Sequence, residues 1–153
     1  EATQLPARGI DNGDQTYAVL RTQVDVVLPS GIAVLNAADA NVLRMAELSD
    51  GEVMLFAPEG MVPAVREHLD AGKRAVFRRN GSIILAQGAT ETRLNITDNG
   101  LKHVLEGKGA ALHRAVVCAA VAGAWALGTA SELLQVGLDA YAESLEVTTA
   151  CTE

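Results

Sequence analysis

Two short apolar runs, residues 32–35 (Ile-Ala-Val-Leu) and 53–56 (Val-Met-Leu-Phe), stand on either side of a polar loop and a stretch of helical periodicity. Short apolar runs bounded by turn signals read as strands buried on both faces, and a helix between them makes a β-α-β unit. Parallel strands need a crossover, and the crossover packs on one face of the sheet, so this unit narrows the fold to the α/β class. The first strand runs into Asn36-Ala37-Ala38-Asp39. In open α/β sheets ligands are met at the carboxyl ends of strands, so this loop is the first place to look for a site. Asp39 also stands just ahead of the periodic positions Val42, Leu43, Met45, Ala46 and Leu48, where a carboxylate caps a helix by accepting orphan backbone N–H groups. Both readings of Asp39 stand on the residues alone.

Residues 1–12 carry Pro6, Gly9 and Asn12 with little periodicity and read as an irregular lead-in. Over 13–28, Tyr17, Leu20, Val24, Val27 and Leu28 recur at the spacing of one helical face, and Pro29-Ser30-Gly31 stops the helix. A helix at 40–48, a strand at 52–56 and a helix at 61–71 closed by Gly72 complete a second crossover. Residues 74–78 and 82–87 flank Asn80-Gly81, the dipeptide suited to the positive φ angles of a type I′ hairpin. A third strand at 92–97 extends the meander. The expected architecture is a mixed, partly parallel sheet with an antiparallel hairpin or meander toward its C-terminal side and packed helices. Residues 98–109 read as a loop with one helical turn. From 110 to 127 nearly every residue is small or β-branched, which predicts a helix buried on most faces. Ser131 opens a second helix to about Tyr141, and 142–153 carries no strong signal.

By length, 1–153 is a single domain. Its net charge of −7 and aromatic content of 3% argue against a nucleic-acid partner, which needs clustered cations and stacking rings. The local basic cluster Lys73, Arg74, Arg78 and Arg79 reads as a solvated face, as do Glu47, Asp50 and Glu52. Cys118 and Cys151 make no disulfide framework and no Cys-x-x-Cys pair, which fits a reducing cytoplasm. No apolar run approaches a membrane span and no leader pattern opens the chain. The start lacks Met, as expected of a processed chain or of a segment of a longer polypeptide.

Gly107-Lys108-Gly109 ahead of a helix resembles a phosphate loop, but a Walker loop needs a Gly at 102 and a hydroxyl residue where Gly109 stands. The chain therefore has no phosphate-gripping loop of its own. His68, His103 and His113 lack ligand spacing, so no metal site is expected. His113 and Arg114 lie in the first turn of the small-residue helix, whose N-terminus can face an anion, or they are structural. Ser30, Ser82 and Ser131 lack the Gly-x-Ser-x-Gly setting of a hydrolase. No catalytic residue is named by these patterns.

The run Arg-Thr-Gln-Val-Asp-Val-Val-Leu-Pro at 21–29, Ala-Val-Leu-Asn-Ala at 33–37 with Asp39, Met45-Ala46-Glu47-Leu48 and Asp50-Gly51-Glu52-Val53 resemble cyanophycin synthetases, in their Mur ligase-like half. The resemblance continues through 72–77, the Asn80-Gly81 hairpin to Glu91, and Ala124-Trp125-Ala126-Leu127-Gly128 with Gly137-Leu138, covering about residues 14–141. It implies the distal part of a Mur ligase central domain, with the phosphate loop upstream and the C-terminal ligase domain downstream. It further implies an ATP- and Mg-dependent amide ligase, in which a carboxylate is phosphorylated and the acyl phosphate is attacked by an amine. In that family aspartate and arginine are added alternately to a growing polymer. Amino acids and polymer are the implied partners, in a homo-oligomer. Asn36 and Asp39 carry over as nucleotide-side positions, with His113 and Arg114 as neighbours of a motif. The chain departs from the family at Ala38 and Ala40, where Asp and Pro are frequent, and at Ala115-Val116, where Glu-Asn is frequent. These departures motivate a second reading, a non-catalytic Mur-like module with a structural or assembly role. A ligase of the same superfamily acting on muramyl peptides or folates is a third.

Overall fold

Strand β1 (Ile32–Asn36) pairs in parallel with β2 (Glu52–Ala57), Ile32 opposite Glu52 and Asn36 opposite Phe56. The structure is a computed structural model and describes residues 12–96, 100–107 and 109–150. Strand β3 (Arg74–Arg79) runs parallel to β2, and β4 (Ser82–Gln87) and β5 (Thr90–Leu94) follow antiparallel, giving the order β1-β2-β3-β4-β5. This is the mixed α/β sheet that the two apolar runs and the Asn80-Gly81 turn predict. Asn80 (φ 50°) and Gly81 (φ 75°) both take positive φ, as a type I′ turn demands.

Helices cover both faces. On one side lie α1 (Gly13–Asp25), α2 (Ala40–Leu43) continuing as a 3-10 turn (Arg44–Leu48), and α3 (Pro63–Asp70). Their Val24, Met45, Val65 and Leu69 pack on Leu35, Leu55, Ala75 and Phe77. On the other side lie α4 (Gly100–Glu106), α5 (Ala110–Ala126) and α6 (Ser131–Ala150), whose Leu105, Val121 and Leu138 pack on Met54, Phe56, Val76 and Ile83. Burial on both faces is why the strands read as continuous apolar runs rather than as an alternation. At the amino edge of the sheet two loops meet at Gly51. A Cβ there would lie 2.3 Å from the Gly31 carbonyl oxygen and 2.5 Å from that of Leu28, so glycine is required.

Several boundaries differ from expectation. Strand β5 begins at Thr90 rather than 92, because Gly88 takes φ 56° and brings Thr90 opposite Gln87 in a tight turn. The helix expected at 40–48 is α only to Leu43 and then tightens to 3-10, a usual way to close a short helix before a turn. Part of 98–109 is the helix α4, anchored by fully buried Leu101 and Leu105 one turn apart; residues 98, 99 and 108 lie outside the described residues. Helix α6 runs past Tyr141 because Ala142 and Leu145 continue the packed stripe of Leu134 and Leu138. Helix α5 is not buried on most faces, since Leu112 and Val116 are half exposed.

The basic cluster is a solvated face only in part: Lys73 and Arg79 are exposed, whereas Arg74 and Arg78 are half-buried. Arg74 donates from Nε and Nη2 to Glu52 (2.8 and 3.0 Å) and lies over the Trp125 ring at 5.4 Å. This contact holds the Glu52 carboxyl below its ordinary range, so Glu52 is not a free surface acid either. Arg79 pairs with Glu91. Residues 1–11 of the lead-in and Cys151 lie outside the described residues. Among the described residues no helix is long and apolar enough to cross a membrane.

Candidate functional site

Three parallel strands end at the same edge, β1 at Asn36, β2 at Ala57 and β3 at Arg79, and each is followed by a turn. After β1 the chain stays close to the sheet, since Ala37 is buried and its N–H donates to the Phe56 carbonyl at 2.8 Å. Asn36 Oδ1 accepts from Ala38 N–H at 3.0 Å, which turns the chain outward. Asp39 Oδ1 then accepts from Asn41 and Val42 N–H at 2.9 and 3.3 Å and caps α2. The capping reading of Asp39 is thus realised. Asn36 Nδ2 and Asp39 Oδ2 make no hydrogen bond among the described residues, so each side chain keeps one polar atom for a ligand.

After β2, the loop 58–60 folds back across the end of β3. Gly60 takes φ 121°, and a Cβ there would lie 3.6 Å from the Arg78 carbonyl oxygen. Glu59 on this loop accepts from Arg114 Nε at 2.8 Å, and Arg114 Nη1 donates to the Leu105 carbonyl at 2.9 Å. One side chain in the first turns of α5 therefore ties together the β2 loop, α4 and α5. Helix α5 packs across β1 and β2, which sets this tie at the same carboxyl edge as Asn36 and Asp39. His113 is exposed and makes no hydrogen bond or ion pair with the tie among the described residues.

Beside the tie, the Nε of half-buried Arg78 is shielded from solvent and has no hydrogen-bond partner among the described residues. An unsatisfied buried donor of this kind costs about 1–3 kcal/mol. Cys118, one turn along α5 from Arg114, is fully buried, and burial pushes its thiol up to about 12. Arg78 pulls that value down and Glu59 pushes it up, so both act on the same stretch of α5. Glu59 and Arg78 were missed as site residues in the sequence. The rule that pointed to Asn36 applies equally to Pro58-Glu59-Gly60 after β2, and would have found Glu59.

A cavity of about 760 Å³ lies at the opposite, amino edge, between Ser49, Gly51, Glu52 and Lys73, and a second of about 530 Å³ lies between the 3-10 turn and α3. Arg74 on the first is already paired with Glu52. His68 borders the second and donates from Nε2 to the Val53 carbonyl at 3.0 Å, while burial holds its imidazole below the ordinary value. Volume favours the amino edge, whereas the open polar atoms that follow parallel strands lie at the carboxyl edge. The carboxyl edge is the candidate site, because strand ends in α/β sheets point backbone and loop donors at ligands. Among the described residues no three of His, Cys, Asp and Glu come together in a way that could hold a metal ion.

The fold and this edge define an α/β domain with a mixed five-stranded sheet and a polar carboxyl edge. No protein-family model matches the chain. It is similar to the cyanophycin synthetases of Nostoc sp. and Trichormus variabilis, each 32% identical over 87 residues, which is 57% of this chain and 10% of each relative. The cyanophycin synthetase of Synechocystis sp. is 28% identical over 147 residues, 96% of this chain and 17% of the relative. The chain thus spans between a tenth and about a sixth of the length of the curated relatives it matches, and is related to cyanophycin synthetases over that span.

Proposed function

We propose that the chain is a segment of an ATP-dependent amide ligase of the cyanophycin synthetase kind, corresponding to the distal part of a Mur ligase-like central domain. The observation that carries this reading is the similarity to the Synechocystis protein, which runs through 96% of the chain rather than through an isolated motif. In such a ligase ATP with Mg supplies an acyl phosphate, which an amine attacks. The donors at the carboxyl edge suit the uncharged part of a nucleotide. Asn36 Nδ2 can donate and Asp39 Oδ2 can accept, as a base edge or a ribose hydroxyl requires. The same residues do not suit phosphates or Mg. Glu59 neutralises Arg114, and no acidic cluster is present among the described residues. Phosphate binding and the ligation step are therefore assigned to other parts of a longer, cytoplasmic polypeptide, a homo-oligomer acting on amino acids and a growing polymer. The segment's own task is to shape one wall of the nucleotide site.

One observation favours the reading as a non-catalytic module: the Arg114 guanidinium and the first-turn capping oxygen of Asp39 are already spent within the fold. The full-length polypeptide carrying this segment separates the two. Labelled aspartate or arginine incorporated only with ATP supports the ligase. The substitutions Ala38→Asp and Val116→Asn are then expected to raise incorporation; Val116 is exposed, so the fold tolerates the change. No ATP-dependent incorporation in either protein rejects the ligase and leaves the module.

A further inference from the structure

The two outer strands of the sheet differ in kind. Strand β5 carries Thr90, Glu91, Thr92 and Arg93, all exposed, the polar and charged residues that discourage a further strand from pairing. Strand β1 is Ile-Ala-Val-Leu-Asn, with no charge and no proline. Its hydrogen bonds fix which backbone groups face outward. Glu52 N–H donates to the Gly31 carbonyl and Ala37 N–H to the Phe56 carbonyl, so the odd-numbered residues of this stretch face β2. By alternation Ile32, Val34 and Asn36 turn their N–H and C=O groups away from it. The Asn36 carbonyl accepts from Asp39 N–H at 3.3 Å. The N–H and C=O of Ile32 and Val34 and the N–H of Asn36 have no partner among the described residues. Donors and acceptors repeating on alternate residues of an apolar edge are matched along their length by another strand.

The helix over this edge gives the direction of such a strand. A groove of about 350 Å³ runs along β1, roofed by Leu20 and Val24 of α1 and by Val27 just after it. Helix α1 shares its face of the sheet with α2 and α3, the crossover helices of β1-α2-β2 and β2-α3-β3. Those two units step from β1 toward β3. Crossovers between parallel strands are right-handed, so helices on one face step across a sheet in one direction. A parallel strand joined through α1 to β1 therefore falls on the side of β1 away from β2, in this groove.

We propose that the outer edge of β1 seats a parallel strand, rich in Val, Ile or Leu, from the part of the polypeptide that precedes this segment. Residues 1–11 hold Pro6 and no apolar run of strand length, so their sequence does not fit that strand. The curated relatives leave ample chain for it, since the match covers only 10–17% of their length. A parallel partner of Ile32 and Val34 ends beside Asn36, so the loop after it borders the candidate site. The inference rests on reading the chain as part of a longer polypeptide, and not on the ligase chemistry.

The test uses the full-length polypeptide. Hydrogen exchange read residue by residue compares the outward amides of Ile32 and Val34 with those of Ala33 and Leu35, which face β2. All four are expected to exchange at least about a hundredfold more slowly than in an unstructured chain. Fast exchange at Ile32 and Val34 beside slow exchange at Leu35 marks a free edge and overturns the proposal. A photo-cross-linking residue, p-benzoylphenylalanine, placed at the exposed Leu20 above the groove identifies the occupant. Mass spectrometry is expected to find the cross-link on a peptide that precedes this segment. Cross-linked dimers, which assign the edge to a second copy, overturn the proposal, as do cross-links confined to peptides that follow the segment. Neither readout uses ATP or turnover, so a polypeptide without ATP-dependent incorporation can still show the added strand, and one with it can lack the strand.

Discussion

Replacing Gly51 by Ala tests whether the amino edge of the sheet is assembled as described. The added Cβ would meet the Gly31 carbonyl oxygen at 2.3 Å, whereas ordinary contact begins at 3.4 Å, so the two loops must separate by about 1 Å. The obstructing atoms are backbone and cannot swing away. Two hydrogen bonds hold them, Gly31 N–H to the Leu28 carbonyl at 2.7 Å and Glu52 N–H to the Gly31 carbonyl at 3.0 Å. The second of these leads into the first β1–β2 pair, Ile32 with Glu52. Overpacking costs about 1–3 kcal/mol and each weakened hydrogen bond about 0.5–1.5, so a loss of about 3 kcal/mol is expected. For a chain of this size that lowers the melting temperature by about 6–12 °C. Gly123→Ala is the control. It sits inside α5 with nothing within 4 Å of the new Cβ, and is expected to stabilise by about 0.5–1 kcal/mol. Thermal unfolding followed by circular dichroism reads both. A Gly51→Ala protein melting within about 1 °C of the parent would refute the close approach of the two loops.

Other consequences follow from the packing and the titrating groups. Leu105→Ala empties a fully buried site under α5 and is expected to cost about 2–5 kcal/mol in urea unfolding; a loss below about 1 would mean that α4 does not pack there. His68 is held below its ordinary 6.5, so below that value the unfolded chain binds its proton more readily than the native one. Its contribution to stability is complete above pH 6.5 and is lost as pH falls through the folded value; urea midpoints should decline in that window, and less so in His68→Gln. Glu52, held low by Arg74, adds a second loss of the same sign below 4.5. Cys118, with its thiol near 12 and no exposure, is expected to resist alkylation at pH 8 until urea unfolds the chain; rapid labelling of the native protein would contradict its burial.

Much of the fold was legible because its signals are local. Apolar runs at 32–35 and 53–56, the Asn80-Gly81 dipeptide and Gly128 each dictate their own backbone. What the sequence hid depends on packing between distant segments. Leu101, Val104 and Leu105 make only a short apolar pattern in a glycine-flanked stretch, and Leu101 and Leu105 gain meaning from the sheet face beneath them. The end of α6 was hidden because the stripe of Leu134 and Leu138 is continued by Ala142, a small residue whose apolar character shows only against the core it packs on. Arg74 looked solvated because its partners, Glu52 and Trp125, lie 22 and 51 residues away. At the candidate site the loop chemistry of Asn36 and Asp39 was readable from position alone. The Glu59–Arg114 tie joins residues 55 apart and was not.

The central claim, that the carboxyl edge of this segment forms one wall of a nucleotide site, is tested most directly by photolabelling the full-length polypeptide with 8-azido-ATP and mapping the modified peptides by mass spectrometry. The account predicts label, displaced by excess ATP, in the peptides that hold Asn36 and Asp39 or His113 and Arg114. Label displaced by ATP but confined to peptides outside this segment would contradict it.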